Sequence, residues 1–147
     1  MYPMIVDVEQ FLQVRTAFME AVKDIPHGEI RHGIMFEVPS ACLLAEELCE
    51  VVDFASIGTN DLTQYLFAVD RDNDLVSYDY HPDRPVFWKL IRSIADAARR
   101  TGTPLSVCGE IAGDARYVPQ LIEAGIETVS VSSRRIAEVR GAALAHG

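Results

Sequence analysis

The chain has little that could staple it or anchor it. Its three cysteines, Cys42, Cys49 and Cys108, are an odd number without C-x-x-C spacing. That supports neither a disulfide framework nor a zinc ribbon, and it fits a reducing cytoplasm. No apolar run approaches the roughly 20 residues of a membrane span. The first basic residue is Arg15, so no cationic stretch of the kind that opens a secretory leader stands at the N-terminus. Positive charge is scarce as well: 13 Lys and Arg stand against 22 Asp and Glu, for a formal charge of -9. Such a surface does not neutralise the phosphates of a nucleic acid, so neither nucleic acid nor membrane is expected as a partner. Ser/Gly linkers, low-complexity tracts and fixed-period repeats are missing too, and nothing divides the chain.

What is present is a globular composition. The 147 residues are 49% hydrophobic and 24% charged, enough for one domain, expected over 1–147, with a real core. Short β-branched runs alternate with stretches of helical apolar spacing, which signals βα units and a parallel sheet. Strands are expected at Met4 to Val6, Gly33 to Phe36, Val51 to Ile57 with Asp53 interrupting, Leu105 to Val107 and Thr128 to Val131.

Asp7, with Gln10 three residues on, predicts a helix start that places Phe11, Val14, Phe18 and Val22 on one face and ends near Pro26 and Gly28. A second helix begins at Pro39 and turns Ala41, Leu44, Leu48 and Val51 inward. A third runs from about Pro85 to Arg100, with Val86, Phe87, Leu90 and Ile91 among its apolar positions and Gly102 as its stop. Asp114 and Ser132 or Ser133 suggest the starts of two more. Between Asp70 and Pro82 lies a long polar connection. About five strands make either a small open α/β sheet or part of a (β/α)8 barrel, which when closed takes about 250 residues.

Three segments place polar residues directly after an apolar strand: Gly33 to Pro39 with Glu37, Ser56 to Asp61 with Asn60, and Ser106 to Glu110 with Cys108. Parallel α/β sheets build their ligand sites at that C-terminal edge. Glu37 and Asp61 are hard oxygen donors that suit Mg2+, or else acidic residues that simply open the following helices. Asn60 is a donor toward an anionic oxygen or an ordinary turn residue. Cys108 ends a strand at the rim, where a protonated thiol can act as a general acid toward a carbanion or enolate; a buried packing role is the alternative. Cys42 and Cys49 fall in a helix and read as packing residues. Arg71 either reaches over the rim to an anion or is neutralised by Asp70 and Asp72. His27, His32, His81 and His146 share no metal-ligand spacing and are expected on the surface or in loops.

Taken together, Gly33-Ile-Met-Phe-Glu-Val-Pro39, Ser56-Ile-Gly-Thr-Asn-Asp-Leu-Thr-Gln-Tyr65, Ala68-Val-Asp-Arg71 and Val107-Cys-Gly-Glu-Ile-Ala-Gly-Asp114 resemble the phosphoenolpyruvate-utilizing enzymes. Within them they are most similar to the Enzyme I branch, the phosphoenolpyruvate–protein phosphotransferases of bacterial sugar and nitrogen phosphotransferase systems. The pyruvate–water and pyruvate–phosphate dikinases share parts of the pattern, and a noncatalytic binding or assembly module is a further alternative. The resemblance implies a partial (β/α)8 TIM barrel, its last four to five βα units, beginning with the tail of the fourth strand at Met1 to Met4. It implies Glu37 and Asp61 as Mg2+ ligands and Asn60, Asp61 and Arg71 as substrate contacts. Cys108 would protonate the enolpyruvate carbon to release pyruvate. A phosphocarrier protein would be the acceptor, docking on parts expected outside this chain. The open strand edges of a half-barrel predict pairing into a homodimer.

Overall fold

The computed structural model describes residues 1–146; Gly147, the last residue of the expected domain, lies outside the described residues. Three strands, β1 (Gly33–Phe36), β2 (Phe54–Gly58) and β3 (Leu105–Cys108), form a parallel sheet in the order of the chain. The register pairs Phe36 with Ile57 and Ile57 with Val107. One residue on each flank extends the sheet. Tyr2 bridges Ile34 in parallel, with its N–H on the Gly33 carbonyl at 2.8 Å and its carbonyl accepting from Met35 N at 3.0 Å. Val129 bridges Val107 in the same sense on the far side. Five chain segments thus lie side by side in sequence order without a reversal.

Among the described residues, eight α-helices join and flank them: α1 (Val8–Val22), α2 (Pro39–Leu43), α3 (Ala45–Cys49), α4 (Thr59–Phe67), α5 (Pro85–Thr101), α6 (Glu110–Gly113), α7 (Val118–Glu123) and α8 (Ile136–His146). The start of α1 is fixed as its sequence predicts: Asp7 Oδ1 accepts from Gln10 N at 2.7 Å, and Gln10 Oε1 accepts from Val6 N at 2.8 Å. The α5 helix opens on Pro85 and closes on Gly102 at φ 74°, a left-handed stop that glycine adopts without a Cβ penalty.

The two faces of the sheet differ. On one, Ile34, Phe36, Ala55, Ile57 and Val107 are sealed, joined in one core with Leu48 of α3 and Phe87, Ile91 and Ile94 of α5. Each large apolar side chain buried there contributes about 1.5–3 kcal/mol, so this face carries most of the stability. The other face carries Met35, Ser56, Gly58, Ser106 and Cys108; Met35, Ser106 and Cys108 remain partly exposed, and Ser106 Oγ donates to Ser56 Oγ at 3.0 Å. It contributes little packing energy and is free to carry polar groups.

Several expectations change, each for a visible reason. Met4 to Val6 is not a strand, because Met4 turns left-handed at φ 56° and sends its N–H to a side chain instead of a ladder. The second strand begins at Phe54, since Asp53 is occupied with His32, its N–H donating to the His32 carbonyl and its Oδ2 accepting from His32 N. Thr128 to Val131 contributes only the Val129 bridge. The helix from Pro39 breaks at Leu44 (φ -102°, ψ 28°), which separates α2 from α3. On α1 only Phe11 is buried, while Val14 and Phe18 are 38% and 39% exposed. His32 lies in a loop, as one of the two expected places, but is buried there, stacked on Tyr2 with its Nδ1 2.8 Å from the Tyr2 hydroxyl.

Candidate functional site

The partly open face ends in a row of groups set by the register. One residue past β1, Glu37 stands at the level of Gly58, which pairs with Cys108. A Cβ on Gly58 would lie 2.7 Å from Met35 Sδ and 3.0 Å from Glu37 Oε2, so the missing side chain makes room for the carboxylate. Glu37 is 3% exposed, and its Oε1 accepts from Met4 N at 2.7 Å. Burial pushes the Glu37 carboxyl above the usual carboxylate range; the Met4 N–H opposes this, and the charge and hydrogen-bonding reach of Asp61 add to it. Asp61 sits in the first turn of α4, whose N-terminus is fixed immediately after β2. The nearby Asp61 charge adds to the cost of ionising buried Glu37, a cost that a divalent cation would relieve.

Two hydrogen bonds tie the start of α4 to the end of β3. Thr59 Oγ1 donates to the Cys108 carbonyl at 2.7 Å, and Glu110 N donates to Asn60 Oδ1 at 2.9 Å. The second bond orients the Asn60 amide: its oxygen is taken by an N–H, which leaves its NH2 as a free donor. Gly109 between them has φ 97°, and a Cβ there would collide with Thr59 Oγ1 and stand 2.8 Å from Asn60 Oδ1. Glycine is therefore required for the two strand ends to meet.

Cys108 is half-buried, and its Sγ donates to the Ile57 carbonyl at 3.5 Å. The other thiols are sealed in the core, where burial pushes Cys42 up to about 12 and raises Cys49 as well. Of the three thiols, Cys108 is thus the one that is on the open face and not sealed. A cleft of about 560 Å³ runs from Asn60 past Gly109 and Glu110 to Ser132 and Arg135.

Arg71 is exposed, its backbone N–H bonded to Gln64 Oε1 at 3.4 Å. Among the described residues it forms no ion pair, so Asp70 and Asp72 do not neutralise it as the sequence allowed. Sequence reading held a helix after Asp61 only as an alternative and missed Tyr80, whose hydroxyl donates to the Asn60 carbonyl at 3.3 Å. Among the described residues, no group of three or more His, Cys, Asp or Glu gathers as a metal centre. Glu37 and Asp61 supply two hard oxygen donors, fewer than that. Among the described residues, no helix is long and apolar enough to cross a membrane.

Residues 1–146 match a family described as PEP-utilising enzyme, PEP-binding domain. The chain is 41% identical over 146 residues to the multiphosphoryl transfer protein of Escherichia coli O6:H1, covering 95% of this chain and 18% of that protein. It is 39% and 40% identical to the phosphoenolpyruvate-protein phosphotransferases of Streptococcus equinus and Listeria monocytogenes, again covering 95% of this chain but only 25% and 26% of theirs. The chain thus spans between 18% and 26% of the length of these relatives. Its fold is similar to that of a crystal structure of a citrate lyase from Burkholderia xenovorans, with a TM-score of 0.73 at 16% identity, covering 96% of this chain and 47% of that one.

The carboxylate corner makes a stability prediction with a definite sign. Folded Glu37 holds its proton to higher pH than the unfolded chain does, so the fold binds the extra proton and loses stability as pH rises through that window. The metal-free Glu37→Gln variant is expected to be more stable than the wild type at about pH 7, with the difference closing toward about pH 4. Urea unfolding at both pH values measures this. A variant less stable than the wild type at neutral pH contradicts the strained-carboxylate assignment.

Proposed function

The chain belongs to the PEP-utilising enzymes through their PEP-binding domain, and on that premise we propose that it is the C-terminal half of the phosphoenolpyruvate-binding barrel of a phosphoenolpyruvate–protein phosphotransferase. Relatives bearing that name support the reaction class. The sheet supports the partial (β/α)8 barrel: a doubly wound sheet reverses its strand order and covers both faces, whereas this one keeps sequence order and seals one face. A single domain over 1–147 fits the one continuous core. The observation that carries the reading is the row of Glu37, Gly58 and Cys108 on the open face, tied to Asn60 through Glu110 and Thr59.

In this reading the Asn60 NH2 and the unpaired Arg71 guanidinium contact the anionic oxygens of phosphoenolpyruvate. Glu37 and Asp61 would hold Mg2+, which supplies positive charge against the phosphate and enolate oxygens. The P–O bond to the enol oxygen breaks as phosphoryl passes to a histidine of the phosphotransferase outside this chain. The electron pair stays with the enolate. Cys108 Sγ–H then gives its proton to the terminal carbon, forming the methyl group of pyruvate and leaving a thiolate. The phosphorylated histidine passes its group to a phosphocarrier protein in the cytoplasm. A second copy of the chain is the proposed partner for the two flanks, which end in single-residue bridges at Tyr2 and Val129 rather than in further strands.

Run in reverse, the Cys108 thiolate removes a methyl proton from pyruvate, giving the enolate and the thiol, a half-reaction that needs no phosphohistidine. Wild-type chain with Mg2+ in D2O is expected to exchange the pyruvate methyl protons. Cys108→Ser is expected to be slower by about 10² or more, the usual share of a general acid–base group. NMR of the methyl signal checks it, and equal rates remove Cys108 from the proton transfer. For the pairing, light scattering at micromolar concentration is expected to give the mass of a dimer; a well-folded monomer contradicts it.

A further inference from the structure

The threonine that opens α4 directs its hydroxyl away from its own helix. Near a helix start a threonine hydroxyl ordinarily accepts from a first-turn N–H. The cap position of α4 is Gly58, and the next residue, Thr59, is fully buried with its Oγ1 donating to the Cys108 carbonyl at 2.7 Å, across 49 residues of chain. The ladder between β2 and β3 ends at the Gly58–Cys108 pair, so this hydroxyl is what holds the last carbonyl of β3. Gly109, at φ 97°, then turns the chain so closely past Thr59 that a Cβ would collide with Oγ1. Thr63, one turn further along α4, behaves differently: its hydroxyl donates to the Thr59 carbonyl at 2.7 Å and stays within the helix.

The consequence falls on the thiol. Pairing with β2 holds the Cys108 backbone, and Thr59 fixes its carbonyl, so Sγ has only the staggered positions about χ1 to choose from. The position taken aims Sγ at the Ile57 carbonyl at 3.5 Å. A thiol is a weak donor, so that contact orients the proton without locking it in place. From this placement we propose that Thr59 is a positioning residue for Cys108: its hydroxyl, acting through the Cys108 carbonyl, keeps Sγ in one rotamer on the open face. Thr59 directly precedes Asn60 and Asp61 in the first turn of α4, so one side chain sets the proton donor against the end of the rim where anion and cation are expected. The proposal deepens the phosphoenolpyruvate reading and rests on it for the reaction, while the geometry stands by itself.

The test uses the whole chain with Thr59→Ala, which removes the hydroxyl, Thr59→Ser, which keeps it, and Thr63→Ala, which removes the same atoms from an equally buried site one turn later. Thr59→Val, which fills the space without a donor, stands in for Thr59→Ala if that variant does not fold. Two readouts are taken: the Hα–Hβ couplings of Cys108 in isotope-labelled chain, which report χ1, and the exchange of pyruvate methyl protons in D2O with Mg2+ across a range of pyruvate concentrations. The wild type, Thr59→Ser and Thr63→Ala are expected to show one staggered rotamer, and Thr59→Ala averaged couplings. Thr59→Ala is also expected to lower the maximal exchange rate about tenfold or more with the half-saturating pyruvate concentration unchanged, the scale of a misplaced reacting group, and serine to restore it. A general loosening of α4 would slow Thr63→Ala equally and would not be rescued by serine. Averaged couplings in the wild type, a single rotamer in Thr59→Ala, or a Thr63→Ala variant slowed as much as Thr59→Ala overturns the proposal. If the wild type exchanges no pyruvate protons, the functional reading falls and the couplings alone decide the role of Thr59.

Discussion

Parallel pairing that never reverses is the constraint on which the molecule depends. Because β1, β2 and β3 follow sequence order with Phe36, Ile57 and Val107 in one row, the residues just beyond them also fall in one row. Glu37, Gly58 and Cys108 come from segments far apart in the chain, and the register makes them neighbours on one face. A slip of one residue in any strand would turn its contribution to the sealed side, so the apolar core that fixes the register fixes the site as well. The energy sits on one face and the chemistry on the other.

The rim is assembled at a cost to local comfort. A buried glutamate meets an aspartate, Gly109 occupies a left-handed backbone to clear Thr59 and Asn60, and Met4 adopts φ 56° while its amide serves Glu37. Features of this kind persist where the surrounding structure over-determines them, and they gather at places that bind. The two bonds from Thr59 to Cys108 and from Glu110 to Asn60 explain how the corner stays in place without a covering partner. Arg71, exposed in the loop after α4, forms no ion pair among the described residues, unlike Arg100 with Glu46 and Arg116 with Asp114.

Local pattern was enough for β1, β3, the Asp7 cap and α5, where β-branched runs, a capping residue and a strong apolar period coincide. It left α4 only an alternative because Thr59, Asn60, Asp61, Thr63 and Gln64 hide the helical period; buried Thr59 and Thr63 take positions usually apolar. The first strand failed because its ladder donor was diverted to Glu37, a partner 33 residues away. His32 and Tyr80 could not be read locally either, since each is defined by a hydroxyl contact across 30 and 20 residues. Of the candidate site residues, Glu37, Asn60, Asp61 and Cys108 were legible as strand-end polar groups and Arg71 as a cation in the long polar loop. Their grouping followed from family resemblance, and the register and α4 supply its physical basis.

The central claim is that half a barrel wall carries a preformed corner for phosphoenolpyruvate and Mg2+. Calorimetric titration of phosphoenolpyruvate into the chain, with and without Mg2+ and repeated with Glu37→Ala, tests it most directly. The account predicts binding that requires Mg2+ and is abolished by the substitution in a variant that remains folded. Binding that is indifferent to Mg2+ and to Glu37, or no binding by the folded wild type, contradicts it.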